Sequence, residues 1–342
     1  LKILSWPAPY EANPYLHRLR DALARRSVET QTDRYLASLS VRARESSWLH
    51  LHWPEWMLRD RSRARAWARA LWFFALVDSL RARGVKLAWT AHNLIGHDEP
   101  HPDLAITFRR MFLRRCALVH GHFPSAEASV RELGFGGRFV MAGHPHALDD
   151  YRPTMERERA RESLGFSQGD RVLLCFGAIE RYKGFDRVCE AFVQLDDPSL
   201  RLLIAGRASD PSALETVERA RGGDPRVVIR REFLSREESA NVALAADAMV
   251  LGYRAFFTSG TAMLALSMGT PVIGPARHHL AMLEREPFFS AMDEPGELSR
   301  ALASPTLFSE ESRALARAWA LQFTYDSLAE RLSEAFSAIE VR

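Results

Sequence analysis

Short apolar runs alternate with longer amphipathic segments along this chain. The first run, Lys2–Trp6, is followed by a polar loop and then by a helical pattern that opens at Pro14. Further strand candidates lie at 48–53, 86–91 and 118–121, and helical periodicity runs through 59–83, 104–115 and 125–133. The rhythm breaks over 144–161, where His144-Pro145, Asp149-Asp150 and Arg152-Pro153 carry turn and linker chemistry. It resumes with strands at 171–177, 200–206, 226–230, 248–252 and 271–274 and helices at 184–195, 211–221, 235–246 and 260–268; residues 294–342 read as mostly helical. Strands separated by helical crossovers are parallel. The expectation is an α/β protein of two Rossmann-like doubly wound domains, 1–150 and 151–320. The cleft between them, at the carboxyl ends of the strands, would take the ligands.

The length of 342 residues fits two cores better than one. With 47% hydrophobic and 26% charged residues the composition is that of a soluble globular protein. Cys116, Cys175 and Cys189 stand singly, without zinc or disulfide spacing, which points to a reducing, cytoplasmic setting. No apolar stretch approaches the ~20 residues of a bilayer span, and no signal-peptide pattern opens the chain. The net charge of +3 hides an asymmetry: residues 1–150 hold 22 Lys and Arg against 15 Asp and Glu, a balance of +7 that leaves −4 for the rest. Part of that excess is Arg59, Arg61, Arg63, Arg65 and Arg69, which precede or flank Trp67, Leu71, Trp72, Phe73 and Phe74. This segment reads either as a helix lying on an anionic membrane surface or as a core helix with its arginines in water. Nucleic acid is a poorer partner, since no recognition motif accompanies the arginines.

Two loops carry candidate phosphate chemistry. Phe256-Phe257-Thr258-Ser259-Gly260-Thr261 leads into a helix whose N-terminus offers unpaired N–H groups beside the hydroxyls of Thr258, Ser259 and Thr261; simple helix capping is the other reading. The loop after strand 171–177 places Arg181 and Lys183, followed by Gly184, where either cation can neutralise a phosphate. A third loop, from His92 to His101, crowds three histidines and two acids into ten positions at the end of strand 86–91. Its spacing matches no familiar metal-ligand pattern. His50, His52, Trp53, Glu55 and Trp56 lie at another strand end, where they would line an acceptor site or pack; His122, His144 and His146 share that ambiguity.

The segments Lys183-Gly184, Leu203-Ile204-Ala205-Gly206, Ala246-Asp247-Ala248 and the run 265–273 resemble the nucleotide-binding domain of GT-B glycosyltransferases of the family 4 type. Phe256 and Leu264 stand where that family usually carries two glutamates. A closer resemblance, to the family 94 β-mannosyltransferases of xanthan assembly, is carried by Ala12-Asn13-Pro14-Tyr15-Leu16, the run 49–55, His92-Asn93-Leu94 with His97-Asp98, Tyr182-Lys183-Gly184 and Ser259-Gly260-Thr261. It implies an inverting transfer of mannose from GDP-mannose to a lipid-linked saccharide, by a protein peripheral on the inner face of the cell membrane. It further implies a last helix, 321–342, that crosses back to the first domain.

On this resemblance the donor is held by Arg181, Lys183, Gly184, Thr258, Ser259, Gly260 and Thr261, and the acceptor by Asn13, His52, Glu55, His92 and Asn93. Asp98 is the first candidate for the base, because an acid follows the second histidine in the resembled pattern; Glu99 and His97 are its reserves. Lys183, Arg181 and the helix at Gly260 meet the leaving-group charge, so neither a metal nor a cofactor beyond the nucleotide sugar is expected. The rivals are a retaining hexosyltransferase using a UDP- or GDP-sugar and a non-catalytic carbohydrate-binding scaffold.

Overall fold

Twelve strands form two six-stranded sheets in the computed structural model, which describes residues 1–10, 13–33, 35–38, 46–96 and 99–340. Every pairing between these strands is parallel. The chain divides into two compact units, Leu1–His144 with Thr324–Arg342 and Pro145–Phe323.

The first unit contains β1 (Lys2–Trp6), β2 (Glu29–Thr32), β3 (Trp48–Leu51), β4 (Lys86–Thr90), β5 (Cys116–Gly121) and β6 (Arg138–Met141), in the order β2-β1-β3-β4-β5-β6. Its helices are α1 (Pro14–Arg25), α2 (Arg63–Ala82), α3 (Pro102–Leu113) and α4 (Ala126–Glu132). The terminal helix, Tyr325–Glu340, also belongs to this unit: Leu328, Leu332, Ala335 and Phe336 share one core with Leu16, Leu19 and Leu23 of α1. Phe336 meets the fully buried Trp48 edge-on at 4.9 Å, and Arg25–Asp326 and Arg26–Glu330 pair at the rim. Aliphatic and aromatic burial on this scale outweighs the exposed ion pairs, each worth at most about 1 kcal/mol.

The second unit contains β7 (Arg171–Phe176), β8 (Leu200–Ala205), β9 (Val227–Arg230), β10 (Ala248–Val250), β11 (Val272–Gly274) and β12 (Phe289–Ala291), in the order β12-β11-β10-β7-β8-β9. Around them lie α5 (Arg157–Ser163), α6 (Phe185–Val193), α7 (Pro211–Arg221), α8 (Arg236–Ala245) and α9 (Gly260–Ser267). The central strands are buried on both faces, with Val172, Leu173, Leu174 and Cys175 of β7 all fully covered, which is why they read as unbroken apolar runs.

β2, β6 and β12 are not among the strands expected from the sequence, and all three are sheet edges. Helix α5 begins inside the stretch that reads as linker. Its sequence, RERARES, has one apolar residue, and what fixes it is polar: the buried Arg161 turns inward to the Ala245 carbonyl at 3.1 Å and Asp247 at 3.0 Å. Asp247 also accepts from the Val172 amide at 2.6 Å, so this motif residue ties α5 to β7 and β10.

Candidate functional site

In the second sheet the strand order reverses between β7 and β10, and loops leaving either side of such a point open the crevice where doubly wound folds take ligands. The two loops here nearly touch. Gly184 sits at φ 64°, and a Cβ on it would stand 2.0 Å from the Gly252 carbonyl oxygen, so only glycine lets the Lys183 loop close onto the end of β10. Gly177, at φ 105°, is the second such position: a Cβ there would stand 2.2 Å from Lys183 Nζ and 4.0 Å from Thr261 Oγ1. The missing side chain therefore makes room for the ammonium itself, with the Thr261 hydroxyl on the same side.

Lys183 is 6% exposed and donates to the Phe176 carbonyl at 3.1 Å. Burial lowers its pKa to about 8 against the opposing pull of Glu180 and Cys175. A cation held with so little solvation gains from any anion that reaches it. Ser259 caps α9, accepting from the Ala262 amide at 3.1 Å, and its hydroxyl also bonds Tyr253 Oη at 2.9 Å; its own N–H donates to His279 Nδ1 at 3.3 Å. Its hydroxyl is thus occupied by the fold, while Gly260 and Thr261 begin the helix with N–H groups that have no intrahelical acceptor. Thr258 Oγ1 is buried without a hydrogen-bond partner among the described residues. Arg181 is exposed; its carbonyl accepts from Arg254, which forks onto Asp186 with two bonds of 2.8 Å.

Phe256 and Leu264 are 7% and 4% exposed and belong to the apolar core. Phe256 stacks on Tyr253 at 5.0 Å, and Tyr253 stacks on Tyr182 at 6.3 Å. Where the resembled family holds carboxylates, this chain holds packed hydrocarbon.

In the first unit, alternate residues at the ends of three neighbouring strands put His50 and His52, Thr90 and His92, and His120 and His122 on one face of the sheet. His50 bonds Thr90 Oγ1 at 2.8 Å, His120 bonds the same hydroxyl at 3.2 Å, and His52 Nδ1 lies 3.2 Å from His92 Nε2. Tyr15 of α1 covers the layer, its ring 4.9 Å from His92, and Trp53 stacks on His92 at 4.7 Å. Burial drives the pKa of His50 down to about 3 and of His120 to about 4, and holds His52 and His92 well below the usual range. These four imidazoles are neutral at pH 7.

The residues assigned to the acceptor take separate positions. His52 and His92 join in this layer, and Asn13 caps α1 by accepting from the Tyr15 amide at 3.1 Å. Glu55, 3% exposed, is turned inward against Arg109, 1% exposed, at 2.9 Å. Asn93 offers its carbonyl to the same guanidinium at 3.5 Å. His97 and Asp98 lie outside the described residues, as does Ala12. Glu99 is half-buried; burial raises its carboxyl pKa, and its Oε1 has no hydrogen-bond partner among the described residues. Among the described residues no group of histidine, cysteine and carboxylate side chains is arranged to hold a metal ion.

Residues 170–304 match the family described as glycosyl transferases group 1. The chain is 28% identical over 279 residues to a GDP-mannose:glycolipid 4-beta-D-mannosyltransferase of Xanthomonas campestris pv. campestris, a match covering 80% of this chain and 73% of that protein. The chain is a glycosyltransferase with the GT-B fold. Sucrose-phosphate synthase from Thermosynechococcus elongatus shares the fold with a TM-score of 0.73 at 16% identity, over 99% of both chains. Anabaena HepE in complex with UDP does so with a TM-score of 0.71 at 14% identity, over 99% of this chain and 100% of that one. For this glycosyltransferase the sequence pointed to the Lys183 and Thr261 loops, which the structure brings together. It did not single out Arg109, which reads no differently from its solvent-facing neighbour Arg110, nor Tyr253. The alternating His-x-His pairs at the ends of β3 and β5 were the legible sign of the layer.

Proposed function

We propose that this glycosyltransferase moves mannose from GDP-mannose onto a lipid-linked saccharide with inversion at the anomeric carbon, without a metal ion. The observation that carries the reading is the cradle at the switch point of the second sheet, where Lys183 Nζ and Thr261 Oγ1 converge over Gly177. A diphosphate placed there meets a buried cation, a hydroxyl and a helix N-terminus, which together take up the leaving-group charge. The identity of the sugar and the acceptor rests on the similarity to the Xanthomonas mannosyltransferase. The packed Phe256 and Leu264 favour a single displacement over the retaining alternative, and the base is supplied by the loop that carries Asp98 and Glu99. Incubating the protein with nucleoside diphosphate sugars and saccharide lipids in EDTA, then reading the product's anomeric proton by NMR, tests this. A β-linked mannoside from GDP-α-mannose supports the reading; an α-linked product makes the enzyme retaining, and nucleotide binding without turnover makes it a scaffold.

Lys183→Ala is expected to weaken nucleoside diphosphate binding by roughly 10- to 150-fold, the cost of one charge-assisted contact of about 1.5–3 kcal/mol. The pH dependence follows from the lysine's lowered pKa of about 8. Only the protonated form attracts the diphosphate, so wild-type affinity is constant below that value and declines above it, by up to about tenfold per pH unit. Calorimetry between pH 7 and 10 measures both effects, and a flat profile in the wild type would remove Lys183 from the donor site.

A membrane surface is the proposed meeting place with the acceptor. Helix α2 buries Phe73, Phe74 and Val77 but leaves Leu71 and Trp72 about half exposed. Arg63 and Arg65 are engaged by Asp103 and Asp60. Changing Arg61, Arg63, Arg65 and Arg69 to Gln is expected to release the protein from anionic liposomes, at about 1 kcal/mol per cation, as added salt does. Absence of wild-type sedimentation with such liposomes at low ionic strength would withdraw the membrane partner.

A further inference from the structure

We propose that Arg109 is the positioning residue of the loop after β4, fixing residues 93–96, the segment that leads into the acids of this loop. The inference rests on the reading of residues 97–99 as the source of the base. Several elements converge on this one guanidinium, which α3 carries inward. From β4, the Trp89 ring lies 4.1 Å from Arg109 Cζ, and the Trp89 indole N–H donates to the His52 carbonyl at 3.2 Å, so the platform under the arginine is itself tied to the end of β3. The 3-10 helix Pro54–Leu58 supplies Glu55 Oε2 at 2.9 Å from Nη2. The loop supplies the Leu94 carbonyl at 2.6 Å from Nε and the Asn93 carbonyl at 3.5 Å from Nη2.

A structural need alone does not account for this arrangement. Burying an arginine and a glutamate takes both charges out of water, and an apolar pair of similar volume often serves a fold equally well. Here the guanidinium is not even fully used, because Nη1 is buried without a hydrogen-bond partner among the described residues. What the arginine supplies and an apolar pair does not is a planar fork that grips backbone carbonyls of a loop. The same patch receives Glu99: a Cβ on Gly96 would stand 3.0 Å from Glu99 Oε2 and 3.7 Å from Glu55 Cγ. Glycine at 96 thus leaves room for that carboxylate against the pinned segment.

The decisive variant replaces the pair together, Glu55→Leu with Arg109→Met, which leaves no unpaired charge in the core. The midpoint of thermal unfolding is expected to stay within a few degrees of wild type, while amide exchange over residues 93–96 rises at least about tenfold. Turnover is expected to drop about 100-fold with the KM for the nucleotide sugar within about twofold, the pattern of a misplaced group and not of lost donor binding. Arg109→Lys, which keeps the charge and loses the fork, is expected to shift turnover and exchange in the same direction and decides the matter if the double variant does not fold. Wild-type turnover and wild-type exchange in a folded variant would overturn the role of Arg109. If the wild-type protein transfers no sugar at all, the proposed function fails instead, and the exchange measurement alone judges Arg109: unchanged protection of residues 93–96 overturns it.

Discussion

Asp98→Asn is expected to lower sugar transfer about 10²- to 10⁴-fold while leaving nucleotide affinity near wild type. That range is the usual contribution of a general base, and the proposed donor contacts lie on the other unit of the chain. Glu99→Gln is the necessary companion, with an expected loss of less than about tenfold if Asp98 takes the proton. The reverse ranking would move the base to Glu99, which is physically equipped for the task. Its carboxyl pKa is raised by burial and its Oε1 is free of hydrogen bonds among the described residues, so it would meet an acceptor hydroxyl as a stronger base than an exposed glutamate. Steady-state kinetics on both variants, with nucleotide binding measured separately, distinguishes these outcomes. Full activity in both removes the acids from the chemistry and leaves His97.

The first unit is expected to lose about 4 kcal/mol of stability between pH 7 and pH 5 from His50 and His120 alone. An unfolded histidine takes up its proton near 6.5, whereas these two hold out to about 3 and about 4 in the folded unit. Between those values the unfolded chain binds more protons than the folded one, so stability falls as the pH falls, by about 2 kcal/mol for each residue at pH 5. His52 and His92 act in the same direction. Against a typical total of 5–15 kcal/mol this is a large share. Tryptophan emission gives a nearly unit-specific reading, because seven of the eight tryptophans precede residue 145 and only Trp319 lies in the second unit. Urea titrations followed by that emission at pH 7 and pH 5 should show the midpoint shift; coincident curves would mean that the histidines are solvated.

The interior of both sheets was legible because strands buried on two faces must be apolar throughout, as at 171–176 and 200–205. The edges were not. Glu29–Thr32 contains no apolar residue and reads as loop, although it pairs in register with β1 from Lys2 to Ser5. The two phosphate-type loops could be read because one sets cations at the end of a strand, with Gly184 passing close to the Gly252 carbonyl, and the other sets hydroxyls at a helix start. Arg109 could not be read, since one arginine in α3 carries no mark of which side faces inward until Trp89 and Glu55 are known to lie beneath it. Conversely Glu55, which its setting between His52, Trp53 and Trp56 suggested for the acceptor, is held 3% exposed by that same arginine.

The place of the helix Tyr325–Glu340 bears on how the protein is made. The strands of the first unit are all synthesised by residue 141, yet Leu16, Leu19, Leu23 and Trp48 find their cover only when this helix arrives. The whole of Pro145–Phe323 is translated in between. At about 5–20 residues per second the apolar face of α1 waits roughly 10–40 s for its partner, long enough for a chaperone to bind it. The second unit is continuous in sequence, so all of its chain is made before that helix is.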